Sequence, residues 1–98
     1  MSTVAEIKII ENGIESEFSK YSDGYPEGIA YGLKRANLDS VANIIEKLGI
    51  DCNLTSGEFE YVFKFPDKTI EAYEISRTEG RKLLFAGPIS DFIEKFRS

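Results

Sequence analysis

The chain opens on apolar residues at strand spacing. Val4 to Ile10 is dense in β-branched side chains and predicts a first strand. Glu11-Asn12-Gly13 follows, and Asn-Gly between two apolar runs is a strong short-range hairpin signal. Ile14 to Tyr21 then alternates. Ile14, Ser16 and Phe18 point one way, and Glu15, Glu17, Ser19 and Tyr21 point the other. The second strand is therefore half-buried, with an acidic outer face.

After Tyr21 the period changes from two to that of a helix. Between Pro26 and Ala36, residues Ile29, Leu33 and Ala36 recur at helical spacing. Gly28 and Gly32 weaken this helix by about 1 kcal/mol each relative to alanine, but leave a flat stripe for close packing against the sheet. Asn37 or Asp39 can cap a second helix that runs to Leu48, with Leu38, Val41, Ile44, Ile45 and Leu48 as its apolar stripe and Gly49 as its stop.

Strand spacing returns after a connector over 50–57. Phe59, Tyr61, Phe63 and Phe65 alternate with Glu58, Glu60, Val62 and Lys64, which predicts an aromatic inner face and a polar outer one. Pro66-Asp67-Lys68 turns the chain into a partner strand over 69–75, whose buried face the pattern leaves open. A polar loop over 76–81, a short strand over 82–86 and a last helix opened by Gly87-Pro88 complete the chain. Ile89, Phe92, Ile93 and Phe96 form the stripe of that helix. The fold class expected is α+β in two layers. A mainly antiparallel sheet of about five strands carries helices on one face, in the order ββααβββα.

Composition narrows the function more than the fold. Ninety-eight residues, 42 % of them apolar, form one globular domain over 1-98. A net charge of −5 disfavours direct attraction to nucleic acid or an anionic membrane, and suits a partner with a basic surface. Met1-Ser2-Thr3-Val4-Ala5-Glu6 has neither a basic nor an apolar leader region, and Cys52 stands alone, so a reducing cytoplasm is expected. There is no histidine. Ser-His and Cys-His nucleophile pairs and ordinary His-based zinc sites are thereby excluded, and one cysteine cannot build a thiolate cage. No cofactor, catalytic residue or metal ligand set is assigned.

The stretch Tyr21-Ser22-Asp23-Gly24-Tyr25-Pro26-Glu27-Gly28 joins strand to helix. Folding alone accounts for part of it. Asp-Gly makes a turn in which glycine takes positive φ, Pro26 starts a helix, and Glu27 meets the positive end of the helix dipole. Folding does not require Tyr21, Tyr25 and Tyr31 to gather around one turn, and Tyr is enriched at binding surfaces. Together with Asn12-Gly13, the octet resembles a pattern in small uncharacterised phage and bacterial proteins. That pattern runs Tyr-x-His-Trp-Asp-Gly-Tyr-Pro-x-Gly after an Asn-Gly hairpin. Phe59-Glu60-Tyr61-Val62-Phe63 resembles their acidic-aromatic strand, and Gly87 with Phe92 their last strand-to-helix step. This chain lacks the His and Trp, with Ser22 just before Asp23. The resemblance implies topology and a phage-type origin, not a mechanism.

These features give two candidate surfaces. One is the turn, with Tyr21, Asp23, Tyr25, Glu27 and Tyr31. The other is an acidic sheet face of Glu15, Glu17, Glu58 and Glu60, whose ordinary role is solvation. The expected function is that of a non-enzymatic, phage-type accessory protein. It would bind and inhibit a host protein, such as a defence or nucleic-acid enzyme, through one of these surfaces. An alternative is a small-ligand pocket at Asp23-Gly24-Tyr25-Pro26, with Tyr21 and Arg35 or Lys34 as further lining. A third reading uses Asp23 and Glu27 as a carboxylate pair for acid–base or metal chemistry. The Gly28/Gly32 stripe or an unpaired edge strand would be the place for a homodimer to form.

Overall fold

The computed structural model describes residues 3–97; the reading of Met1 and Ser2 lies outside the described residues. The element order is β1 (Ala5–Glu11), β2 (Ile14–Lys20), α1 (Pro26–Lys34), α2 (Val41–Leu48), β3 (Phe59–Phe65), β4 (Thr69–Ser76), β5 (Gly80–Pro88) and α3 (Ile89–Phe96). This is the expected α+β order, ββααβββα. The sheet runs β2-β1-β3-β4-β5. Three of its pairings are antiparallel, and β1 pairs β3 in parallel, so the sheet is mixed. The two helices between β2 and β3 supply the crossover that a parallel pairing needs.

The strand period decides the two faces. Ala5, Ile7 and Ile9 of β1, Tyr61, Phe63 and Phe65 of β3, and Ile70 and Ala72 of β4 are buried together. Against them lie Ile29, Ala30 and Leu33 of α1, Ile44 and Leu48 of α2, and Ile89 and Phe92 of α3. The face that the pattern left open in β4 is thus the Ile70/Ala72 face. The register of β4 with β5 shifts between Ala72 and Tyr73. β5 is longer than expected, because Gly80 and Arg81 already pair with Ser76 and Ile75.

The caps differ from expectation in one place. Neither Asn37 nor Asp39 caps α2. Ser40 does, its Oγ accepting the Asn43 N–H at 3.2 Å. Asn37 is held in the preceding turn instead, donating its N–H to Asn43 Oδ1 at 2.7 Å, while its own Oδ1 accepts from the Asp39 N–H. Gly49 ends α2 in the left-handed conformation as expected. No helix among the described residues is long and apolar enough to cross a membrane.

Candidate functional site

The octet forms the corner where β2 hands over to α1. Asp23 takes positive φ (54°), and Gly24 does not, the reverse of the expected Asp-Gly turn. Gly24 is needed for a different reason. A Cβ there would stand 2.8 Å from the Ala5 Cβ, because the turn lies flat on β1. Gly24 donates its N–H to the Thr3 carbonyl at 2.9 Å. Its own carbonyl accepts the hydroxyl of Tyr61 at 2.7 Å, inside the core. A Cβ on Gly28 would overlap the Asp23 carbonyl oxygen. Gly32 lets α2 approach, with Leu48 and Lys47 against it, so this stripe serves the corner and a helix–helix contact rather than the sheet. Gly32 is itself buried, and so is unavailable as a dimer face.

With the backbone fixed in this way, the rings face outward. Tyr21, Tyr25 and Tyr31 are 41 %, 40 % and 62 % exposed. Tyr21 donates its hydroxyl to the Asn53 carbonyl. Tyr25 donates to Asp23 Oδ1 at 3.3 Å, and the Asp23 charge holds its hydroxyl above the ordinary tyrosine range. The Arg35 guanidinium lies 5.7 Å from the centre of the Tyr31 ring.

A hollow of about 480 Å³ opens between these groups. Tyr25 and Tyr31 supply its rings, Asp23 and Glu27 its acids, and Lys20, Arg35 and Lys47 its cations, with Gly28 and Gly32 at the floor. Tyr21 and Lys34 do not line it. Lys20 donates to the Leu48 carbonyl at 2.7 Å, which satisfies one of the carbonyls left without a helical partner at the end of α2. Burial lowers the pKa of Lys20, and the Asp23 charge offsets part of that. The sequence reading missed Lys20 and Lys47. Lys20 was legible, since it shares the parity of Ser16 and Phe18 and must turn toward the helices. Lys47 had no local signal, because α2 brings it in only where Gly32 permits close approach.

The second candidate surface is not a continuous acidic face. Glu15 and Glu17 are exposed on β2, at the edge of the sheet, and Glu58 is exposed just before β3. Glu58 lies four residues before Val62, whose row carries Lys8 and Glu17, or about 13 Å along the strand. Glu60 is only 5 % exposed. Lys8 Nζ lies 3.3 Å from its Oε2, and the Arg81 guanidinium bonds its Oε1. Arg81 also stacks over the Tyr73 ring at 4.2 Å. Beside them, Lys64 and the Tyr73 hydroxyl both donate to Glu71, which holds its carboxyl below the usual range, the Tyr73 bond contributing most. This face is a charge-paired network, so Glu60 is removed from the candidate contacts.

Among the described residues, no three acidic or cysteine side chains come together as a metal-binding group. No family model matches the chain, and no significant match is found among curated proteins or solved structures.

Proposed function

We propose that this chain is a non-enzymatic binding protein that engages another protein through the corner formed by Tyr25, Tyr31 and Arg35. The observation that carries the reading is the exposure of these rings around a hollow whose backbone is rigidly anchored. Tyr and Arg are the residue types enriched where protein interfaces concentrate their energy. Both are held here at low entropic cost: Tyr25 by Asp23, and Arg35 by its position over Tyr31. The mixed charge of the lining suits a polar protein surface better than a small apolar ligand. In the phage-type form of this reading, which takes only a phage-type origin from the resemblance of the octet, the partner is a host protein whose activity is blocked. The test is affinity capture from the producing or infected cells, followed by titration calorimetry with the retained protein. Tyr25→Ala combined with Tyr31→Ala lowers affinity by about 2 kcal/mol or more, roughly thirtyfold. A partner held equally well by the double variant contradicts the proposal.

A second reading, small-ligand binding in the same hollow, is favoured by its volume alone, about 480 Å³, within the range of ligand pockets. Native mass spectrometry of protein purified from its own cells separates the two. A stoichiometric adduct below about 1 kDa, lost in Asp23→Asn, supports the ligand, and a clean apo mass removes it.

A further inference from the structure

β2 is an edge strand, and part of its outer rim is already used. Ser19 and Asp51 exchange both backbone hydrogen bonds, Ser19 N–H to Asp51 O at 2.8 Å and Asp51 N–H to Ser19 O at 2.9 Å, in antiparallel sense. The connector then bends at Cys52 and Asn53 and passes onto the helix-free side, where the Thr55 N–H bonds Ser19 Oγ at 3.0 Å. Backbone groups alternate sides along a strand, so Glu17 and Glu15 point their N–H and C=O outward as Ser19 does. No backbone partner meets them among the described residues.

The two sides of this open rim differ in chemistry. On the helix-free side stand Glu15 and Glu17, both exposed and without an ion pair among the described residues. On the helix side lies a groove of about 200 Å³, lined by apolar side chains with Glu11 and Asn12 at one end. Its walls are Ile14, Ser16 and Phe18 of β2, Ile9 of β1, and Val41 and Ile45 of α2. Ile14 is 72 % exposed there. The small Ser16 sits between two large neighbours and leaves room for an incoming side chain.

From these features we infer that β2 takes up an extended protein segment as a sixth strand, antiparallel and continuing where Asp51 leaves off. The occupant is a segment in which Lys or Arg alternates with apolar residues. Its cations lie opposite Glu15 and Glu17, and its apolar side chains lie opposite Ile14, Ser16 and Phe18, over the groove. A second copy of β2 does not fit this rule, since it would set glutamates against glutamates. The site is separate from the Tyr25–Tyr31 corner, and either can fail without the other.

The probe is the acetylated, amidated heptapeptide Gly-Val-Lys-Leu-Lys-Val-Gly, titrated into the full ¹⁵N-labelled chain. The expected result is saturable shifts confined to residues 14–18, Val41 and Ile45, with slowed exchange of the Glu15 and Glu17 amides. Glu15→Lys combined with Glu17→Lys weakens binding about tenfold or more. Glu17→Pro abolishes the slowed exchange of the Glu15 amide while keeping the β1–β2 ladder, because the lost N–H faces outward. Tyr25→Ala combined with Tyr31→Ala leaves peptide affinity unchanged. The inference is overturned if the peptide fails to bind at millimolar concentration, or binds both edge variants as tightly as the parent. Shifts centred on the Tyr corner overturn it, and so does protection of the Glu15 and Glu17 amides by self-association without peptide.

Discussion

At the scale of single residues, the corner depends on contacts that leave no room for a side chain. Gly28 lies against the Asp23 carbonyl, so Gly28→Ala forces either the helix start or the turn to move. The expected cost is about 3 kcal/mol, read as a lowered urea midpoint, although alanine is the better helix former. Retained stability in Gly28→Ala would mean that the corner is not rigid. Tyr61 acts at the same place from the core side. Its hydroxyl donates to the Gly24 carbonyl, and burial, with a smaller push from Glu27, raises its pKa far above the ordinary value. A raised folded pKa means that this stability is fully present below the unfolded value, about 10, and is lost as pH rises beyond it. Tyr61→Phe leaves the Gly24 carbonyl without its donor and costs about 1–2 kcal/mol at neutral pH. The gap between the two proteins narrows between about pH 10 and pH 11, because phenylalanine cannot ionise. Parallel urea titrations across that range check the sign.

At the scale of elements, most of the architecture was legible because a local signal set each element. The Asn12-Gly13 turn fixed the first hairpin, with Asn12 at φ 53° and Gly13 at φ 83°, and alternation in β3 named its inner face. What local pattern could not supply was the identity of neighbours. Asn37, Asp39 and Ser40 are all good caps, and the choice fell to Ser40 because Asn43 receives the Asn37 N–H. Alternation placed Glu60 on the outer face, but only the sheet order brings Lys8 and Arg81 to cover it. The energetic consequence is directional. Glu60→Gln leaves two cations, 33 % and 54 % exposed at their side chains, that can turn to water, and costs about 1 kcal/mol. Lys8→Met combined with Arg81→Met strands a buried carboxylate and costs about 3 kcal/mol. Chemical denaturation of both variants at neutral pH measures the order, and the reverse order would show that the outer face is wetter than described.

At the scale of the whole molecule, one face of the sheet is spent on the helices and the other is largely neutralised by its own charge pairs. The two proposed contact sites both lie at the rim: the Tyr corner at the end of β2, and the open edge of β2 itself. The first is proposed from its tyrosines, which the turn and helix start do not require and which stand exposed at the corner. The sequence reading overrated the acidic face, because a strand pattern reports which way a side chain points and not what meets it there. The most direct test of the account is site-specific photocrosslinking in the producing or infected cells. A photoreactive phenylalanine replaces Tyr31, and, as a control, the comparably exposed Leu83 on β5, 62 % and 55 % exposed. The account predicts one discrete adduct with a protein from position 31, absent from position 83. No adduct at position 31, or the same adducts from both positions, would contradict it.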